Sequence, residues 1–245
     1  MSKNELIYGI HAVESALIHR PEGVLQLWVI QGRSDNRINS LLTLAKKAGV
    51  SVQAISADKM KKKCADGSHQ GVAADLRVVN TKQAALEDIL NKPGGLLLLI
   101  LDEVQDPHNI GACLRSADAA GVDAVIVCKN RSPGITAVVR KVACGAADTV
   151  PFIQVTNLAR AMELLHDNDV WIVGTAGETD NSLYDISVTK RMALVMGAEE
   201  KGMRRLAREN CDQLIKLPMQ GHVESLNVSV ATGVCLFEAV RQRRS

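Results

Sequence analysis

The chain has 245 residues, of which 47% are hydrophobic and 23% are charged, a composition typical of a globular protein with a substantial core. Aromatic residues make up only 2%, which excludes the dense array of stacking platforms that single-strand binders use. The net charge of +2 does not by itself indicate a nucleic-acid partner, but residues 1–92 carry 13 basic and 9 acidic side chains, a local excess of +4.

The first 77 residues are predicted to form a small α/β domain. Apolar residues at helical spacing indicate helices, and short apolar runs indicate strands. The predicted elements are a helix within residues 6–18 after a turn at Tyr8-Gly9, a strand at Val24–Ile30, a helix at 39–48 that ends at Gly49, a strand at 50–55, and a third strand that follows 68–74.

A lysine-rich segment, residues 58–63, precedes the third predicted strand and is predicted to be a short helix or loop. Two interpretations stay open for its lysines. They form a solvated face, or they contact RNA phosphates, which would release counterions and make binding salt-dependent.

Residues 78–95 are predicted to be a linker because their apolar content falls and they end in Pro93-Gly94-Gly95. Leu96–Leu101 is uniformly apolar and predicts a buried parallel strand. Strands and helices then alternate through residues 96–245, which indicates an α/β domain with five or six mostly parallel strands. The further predicted strands are at Ala124–Cys128, 149–153, 170–174, 193–196 and 213–217, and the helices are at 136–144, 157–166 and 225–243.

The segment after the first of these strands contains polar residues suited to chemistry. Asp106 and Pro107 break the strand, Asn109 is predicted to cap a helix, and Arg115 lies on that helix. In open α/β sheets, ligands bind at the carboxyl ends of the strands, which is where these residues fall. An ordinary turn, a cap and a solvated charge explain this segment equally well.

Glycines also follow the later strands. No G-x-G-x-x-G pattern follows the predicted strand Leu96–Leu101, so a Rossmann-type cofactor site is not predicted. Gly174, Gly177, Gly197 and Gly221 each come after an apolar strand. These loops are either ordinary turns, or they meet at one edge of the sheet and wrap a small ligand with backbone amides.

Three segments, DEVQDPHNIGACLRSA, MALVMGAEEKGM and LIKLPMQGHVESLNVSVATG, resemble in order and spacing the motifs of the SPOUT-class (SpoU/TrmH) RNA ribose methyltransferases. The match covers about residues 96–243, and a weaker match through YGIHAV and HQGVAA extends over the front part. The resemblance implies S-adenosyl-L-methionine-dependent 2'-O-methylation of a guanosine ribose in 23S ribosomal RNA. It also implies a trefoil knot in the second domain and a front domain that binds RNA, similar to a ribosomal-protein fold.

The resemblance implies a cofactor site at the glycine loops. The family's main cofactor contacts match Gly197, Leu217 and Leu226. The same bend is lined by the positions Thr175, Gly177, Met196, Met219 and Ser225. No metal is expected, because the sulfonium of the cofactor supplies the electrophile.

The catalytic residues implied by the resemblance are Asn109, Arg115, Glu199, Ser225 and Asn227. A guanidinium is effectively always protonated, so a clamp role is favoured for Arg115, in which it holds a phosphate and stabilises the developing alkoxide. A phosphate oxygen or water then takes the proton, and a literal arginine base is the alternative. Asn109 is expected to position the ribose, Glu199 to hold Arg115 or the loop, and Ser225 and Asn227 to orient cofactor and hydroxyl.

The last helix carries an apolar stripe at helical spacing, formed by Leu226, Val230, Val234, Phe237 and Val240. This stripe is predicted either to join the core or, as the resemblance suggests, to form a homodimer interface that brings groups of both subunits to the active site.

Cysteines and histidines show no metal-site pattern. The six cysteines have no Cys-x-x-Cys spacing and are predicted to be buried free thiols. His11 and His69 have no partner at metal-ligand spacing and are expected to be structural or to contact RNA. Without a predicted leader or membrane span, the expected compartment is the reducing cytoplasm.

Two alternative functions stay open. One is 2'-O-methylation of transfer RNA by the same chemistry, against which the separate front domain argues. The other is a non-catalytic RNA-binding factor in ribosome assembly, against which the intact motif residues Asn109, Arg115 and Glu199 argue.

Overall fold

The structure, a computed structural model, describes residues 4–65, 69–77, 85–199 and 201–244. No helix in this part of the chain is long and apolar enough to cross a membrane. In chain order the elements are β1 (Asn4–Tyr8), α1 (Ile10–His19), β2 (Val24–Ile30), α2 (Asn36–Lys47), β3 (Val52–Ile55), α3 (Ala57–Lys63), β4 (Val72–Arg77), α4 (Leu86–Leu90), β5 (Leu96–Leu101), α5 (Pro107–Ala119), β6 (Ala124–Cys128), α6 (Ala137–Ala143), α7 (Ala146–Thr149), β7 (Phe152–Val155), α8 (Leu158–His166), β8 (Trp171–Thr175), β9 (Arg191–Met196), α9 (Arg205–Glu209), β10 (Gln213–Ile215) and α10 (Val228–Arg244).

The chain divides into two compact units, the first formed by residues 1–81 and 135–149 and the second by residues 82–134 and 150–245. This division differs at two places from the predicted boundaries of 1–77, 78–95 and 96–245. Helices α6 and α7 fall in the first unit, where Arg140 pairs with Glu5 of β1. Helix α4 lies within the predicted linker, but its apolar residues are buried in the core of the second unit. Residues 78–84 of that linker lie outside the described residues.

The first unit contains a four-stranded sheet in the order β1-β4-β2-β3. The sequence does not predict strand β1, because residues 4–8 form a strand only by pairing antiparallel with β4, about seventy residues later. Helix α2 starts earlier than predicted because Asp35 caps it, accepting hydrogen bonds from the backbone nitrogens of Arg37 and Ile38, both at 3.1 Å. The predicted strand at Val24–Ile30 is confirmed.

The lysine-rich segment forms α3, and its lysines have different environments. Lys63 Nζ lies 3.2 Å from Asp75 Oδ2 and 4.2 Å from the centre of the Trp28 ring. The Trp28 indole donates to the same carboxylate oxygen at 3.0 Å. Lys63 is therefore tied to its own sheet, whereas Lys59 and Lys62 are exposed.

The second unit is built on a six-stranded, fully parallel sheet in the order β10-β8-β9-β5-β6-β7. This confirms the predicted α/β class. All six residues of β5 are buried, as expected for a strand with a parallel neighbour on each side. The carboxyl ends of the strands meet at one edge, where the loops that carry the predicted site begin. The trefoil knot stays a prediction.

All six cysteines are free, and four are buried. The prediction of burial is wrong for Cys144, which is exposed, and only partly right for Cys211. Burial raises the pKa of Cys113 to about 11 and that of Cys235 to about 12. These two thiols therefore stay protonated at neutral pH and act as small apolar side chains.

Candidate active site

Four segments at the carboxyl edge of the second unit's sheet surround one cleft of about 490 Å³. Three of them follow β8, β9 and β10, and the fourth leads into α10. All eight residues predicted to bind the cofactor line this cleft, namely Thr175, Gly177, Met196, Gly197, Leu217, Met219, Ser225 and Leu226. The loops that follow these strands therefore meet at one edge as predicted, but of the four predicted glycines only Gly177 and Gly197 line the cleft, and Gly174 and Gly221 do not.

The lining also contains residues that the sequence analysis did not single out. Among them are Lys216 and Glu224, charged neighbours in sequence of the predicted Leu217 and Ser225. Methionine and leucine side chains provide apolar wall, and Glu199 and Glu224 provide carboxylates. A cleft of this size with apolar walls and charged groups of both signs suits one small, partly apolar molecule that carries charge.

The loop after β9 turns so tightly that it requires glycine. A Cβ atom on Gly197 would lie 2.2 Å from the carbonyl carbon of Gly202 and 2.3 Å from the nitrogen of Met203. The turn is closed by two backbone hydrogen bonds, from the Gly202 nitrogen to the Ala198 oxygen at 2.8 Å and in the reverse direction at 3.2 Å. By contrast, a Cβ atom on Gly177, in the wall of the same cleft, would meet no atom of the described residues within 4 Å.

Three of the predicted catalytic residues form one hydrogen-bonded cluster beside the cleft. Glu199 Oε1 accepts from Asn109 Nδ2 at 3.2 Å, from the Val228 backbone nitrogen at 3.2 Å, and from Asn227 Nδ2. The Asn227 amide also donates to Asn109 Oδ1 at 3.0 Å. Because these groups come from α5, the loop after β9 and the start of α10, the cluster fixes the three motif segments to one another.

The residue that caps α5 is Asp106, so the prediction that Asn109 is the cap is wrong. The Asp106 side chain accepts from the His108 nitrogen at 3.0 Å, and this hydrogen bond lowers the pKa of Asp106. Pro107 occupies the first helical position, which suits its fixed φ and missing N–H. The Asn109 side chain, inside the first turn of the helix, is therefore used for the contact with Glu199.

Arg115 lies on the exposed face of α5 and is not part of the cluster. It is six residues after Asn109, which on an α-helix is roughly 240° further round the axis. Within the described part of the chain it makes no hydrogen bond or ion pair. Glu199 is predicted to hold either Arg115 or its own loop. The structure shows it in contact with Asn109, Asn227 and Val228 and not in an ion pair with Arg115.

Ser225, the remaining predicted catalytic residue, lines the cleft.

None of the five residues of the predicted apolar stripe is fully buried: Leu226, Val230 and Phe237 are exposed, and Val234 and Val240 are half-buried. The buried face of the helix, which packs on α5, includes Ala231 and Cys235, and a Cβ atom on Gly233 would lie 3.6 Å from Ser116 Oγ of α5. Val230 and Phe237 are 51% and 50% exposed. The core interpretation is therefore wrong for Leu226, Val230 and Phe237, because the buried face of α10 is formed by other residues than the predicted stripe.

Comparisons with known proteins assign both units to one class. The model of the SpoU rRNA Methylase family matches residues 96–237, and that of the RNA 2'-O ribose methyltransferase substrate-binding domain matches residues 6–81. The 23S rRNA (guanosine-2'-O-)-methyltransferase RlmB of Shewanella oneidensis is 55% identical over 246 residues, covering 100% of both chains.

Solved structures show the same fold. A crystal structure of an RNA 2'-O ribose methyltransferase has a TM-score of 0.84 and 24% identity, over 100% of this chain and 90% of that one. The SpoU methyltransferase AviRb from Streptomyces viridochromogenes, in complex with the cofactor AdoMet, has a TM-score of 0.81 and 24% identity, over 99% and 91% of the two chains. At this identity the likeness concerns the fold, and it agrees with the predicted fold class.

Proposed function

The chain belongs to the SpoU rRNA methylase family, and from this we propose that it transfers the methyl group of S-adenosyl-L-methionine to the ribose 2'-hydroxyl of a guanosine in 23S ribosomal RNA. The observation that carries the proposal is the single cleft lined by all eight predicted cofactor positions. The full-length identity of 55% to an RlmB methyltransferase supports ribosomal RNA as the substrate.

The residues of the cleft fit the methyl donor. A volume of about 490 Å³ is within the usual range for small-molecule sites. Backbone at Gly197 lines the cleft, and Met196, Leu217 and Leu226 provide apolar contact for an adenine ring and for the carbon atoms bonded to the sulfonium. The carboxylates of Glu199 and Glu224 attract the positive charges of such a molecule.

Methyl transfer needs a close approach and a place for one proton. S-adenosyl-L-methionine supplies a methyl group on a positively charged sulfur, so no metal is needed to create the electrophile. The 2'-oxygen attacks the methyl carbon as the carbon–sulfur bond breaks, and the hydroxyl proton leaves. The protein contributes by holding the ribose in line and by stabilising the oxygen as it becomes more negative.

We assign these tasks to the hydrogen-bonded cluster and to Arg115. Asn109 and Asn227 are held by their hydrogen bonds to each other and to Glu199; we assign Asn109 to the ribose and Asn227 to holding Asn109 and Glu199 in place. Ser225 lies in the wall where cofactor and hydroxyl meet. Arg115 clamps the adjacent phosphate and the developing alkoxide, while a phosphate oxygen or water takes the proton, because a guanidinium does not release one at neutral pH.

The test is methyl transfer to purified RNA. We expect the protein to incorporate label from S-adenosyl-L-methionine into 23S ribosomal RNA from cells that lack it, and to make one guanosine resistant to alkaline cleavage, which needs a free 2'-hydroxyl. Transfer RNA and 16S ribosomal RNA serve as controls. Label in transfer RNA alone would move the substrate to that class, and RNA binding without any transfer would favour an assembly factor.

We also propose that the protein is a homodimer, with a trefoil knot in the second unit and a cytoplasmic location. The support for the dimer is the pair of exposed apolar side chains on α10, Val230 and Phe237. A second copy on this face would cover them and would lie beside the cleft, whose wall continues into the start of α10.

Charge on this face should break the dimer. We expect Val230→Glu with Phe237→Glu to shift sedimentation from dimer to monomer, because each carboxylate would be buried unpaired in the interface. Leu206→Glu is the matched control, since Leu206 is 53% exposed on a different helix, α9. A native protein that sediments as a monomer, or a double variant that remains dimeric, would contradict this proposal.

RNA binding by the first unit should depend on the exposed lysines of α3. Replacing Lys59 and Lys62 by Ala should weaken RNA binding and reduce the slope of log affinity against log salt by roughly 0.7 to 0.9 for each phosphate that is no longer neutralised. Lys46 and Lys47, exposed on α2, provide a charge-matched control pair. If both pairs reduce the slope equally, total charge and not the α3 cluster explains the effect.

A further inference from the structure

A buried carboxylate joins the first motif segment to the residue that directly follows the second motif segment. Asp102 follows β5 directly and has no exposed surface. Its Oδ2 accepts from the backbone nitrogen of Arg204 at 2.8 Å, and its Oδ1 lies 2.8 Å from Nε and 2.6 Å from a terminal nitrogen of the same guanidinium. Three contacts to one residue fix both the backbone and the side chain of Arg204.

The neighbouring Glu103 strengthens this arrangement. Its φ of +60° lies in the left-handed region, which a glutamate rarely adopts, so surrounding contacts must hold it there. Glu103 Oε1 lies 3.0 Å from a guanidinium nitrogen of Arg131 and 3.5 Å from Arg204 Nε. The turn after β5 is therefore held by two arginines from different loops.

Arg204 ends the loop that begins at Gly197 and contains Glu199. The other end of this loop is held by the close backbone contact at Gly197. Between the two ends, Met203 fills the space beside Gly174, where a Cβ atom would lie 2.7 Å from Met203 Cε. Fixing Arg204 therefore fixes the paired backbone of Ala198 and Gly202, two residues that line the cleft.

We propose that Asp102 and Arg204 are positioning residues for methyl transfer: their ion pair holds the paired backbone of Ala198 and Gly202 in the arrangement that binds S-adenosyl-L-methionine and keeps Glu199 against Asn109. The proposal rests on the proposed function and deepens it. The Arg204 guanidinium contacts a buried carboxylate, which is the position expected of a residue that stabilises the wall of the cleft. An alternative, in which the 35% exposed Arg204 side chain binds RNA phosphate, predicts different results.

The test compares neighbouring arginines in the full-length protein. Arg204→Gln removes the ion pair, Arg204→Lys keeps a point charge, and Arg205→Gln is the matched control, because Arg205 is 77% exposed and pairs along its own helix with Glu209. Cofactor affinity is measured by calorimetry without RNA, well below the unfolding temperature of each variant. We expect Arg204→Gln to weaken cofactor binding by about tenfold or more, Arg204→Lys to weaken it less, and Arg205→Gln to leave it within about twofold.

A second measurement does not depend on the cofactor. Hydrogen exchange of the Gly202 amide, which donates to Ala198, should be on the order of tenfold faster in Arg204→Gln than in the native protein. An unchanged exchange rate would overturn the positioning role of Arg204, whether or not the native protein binds the cofactor. A native protein that binds no cofactor would refute the proposed function and not the role of Arg204. Unchanged cofactor affinity in Arg204→Gln, with weaker RNA binding or only a lower unfolding temperature, would also overturn it.

Discussion

Arg115→Ala should reduce single-turnover methyl transfer by roughly a hundredfold or more at saturating RNA and cofactor, the usual scale for removing one preorganised transition-state contact. The physical reason is its exposed position on α5 with no partner among the described residues, which leaves the guanidinium available to substrate. Cofactor affinity should stay unchanged, because Arg115 does not line the cleft. Arg160→Ala, at an exposed arginine of α8, is the control.

Further variants separate the alternative roles of this arginine. Arg115→Lys should recover little, since a point charge does not reproduce a planar two-pronged contact with phosphate and alkoxide. A literal arginine base would instead make the native rate climb with pH up to strongly alkaline values, and the lysine variant would lose that climb. Transfer by Arg115→Ala at nearly the native rate would leave the arginine as a surface charge and refute its catalytic role.

Gly197→Ala should weaken S-adenosyl-L-methionine binding by roughly a hundredfold. The added Cβ atom would lie 2.2 Å from backbone at Gly202, so the turn must open, and overpacking of this kind costs about 1–3 kcal/mol even where side chains can adjust. Here the opposing atoms are backbone, which places the cost at the upper end of that range. Calorimetry gives the affinity, and circular dichroism shows whether the fold is retained.

The control for this substitution lies in the same cleft. Gly177→Ala adds the same methyl group where no atom in the described part of the chain lies within 4 Å, so cofactor affinity should change little. Equal losses in the two variants would show that the cleft is sensitive to any added volume and not to the turn at Gly197. Native affinity in Gly197→Ala would remove this turn from the cofactor site.

Sequence patterns predict those strands of the second unit whose residues alone indicate a buried strand. The predicted bounds of strands β5 and β6 agree with the observed ones, because a run of buried apolar residues between parallel neighbours is visible in the residues themselves. Strand β1 has no such signal, since residues 4–8 become a strand through pairing with β4. The environment of Lys63 is hidden for the same reason, as Trp28 and Asp75 are distant in sequence.

The candidate site is predictable only in part. The motif resemblance predicts that Asn109, Glu199 and Asn227 belong to one site, although Asn109 and Asn227 are 118 residues apart. The periodicity of the sequence does not indicate that these residues lie close together. The predicted cap of α5 is misplaced because Asp106 and Asn109 both suit that position, and only the proline at the first helical residue decides between them. The contact of Asp102 with Arg204 has no local signal beyond a charge placed directly after a buried strand.

The scarcity of aromatic residues gives this protein a useful optical property. Its two tryptophans fall in different units, Trp28 in the first unit beside Lys63 and Asp75, and Trp171 in the second unit with 41% of its surface exposed. In Trp171→Phe, the remaining indole fluorescence comes from the first unit alone, and in Trp28→Phe from the second alone. Denaturant titrations of the two variants therefore record the unfolding of each unit separately, and they show directly whether the units unfold in one transition or in two.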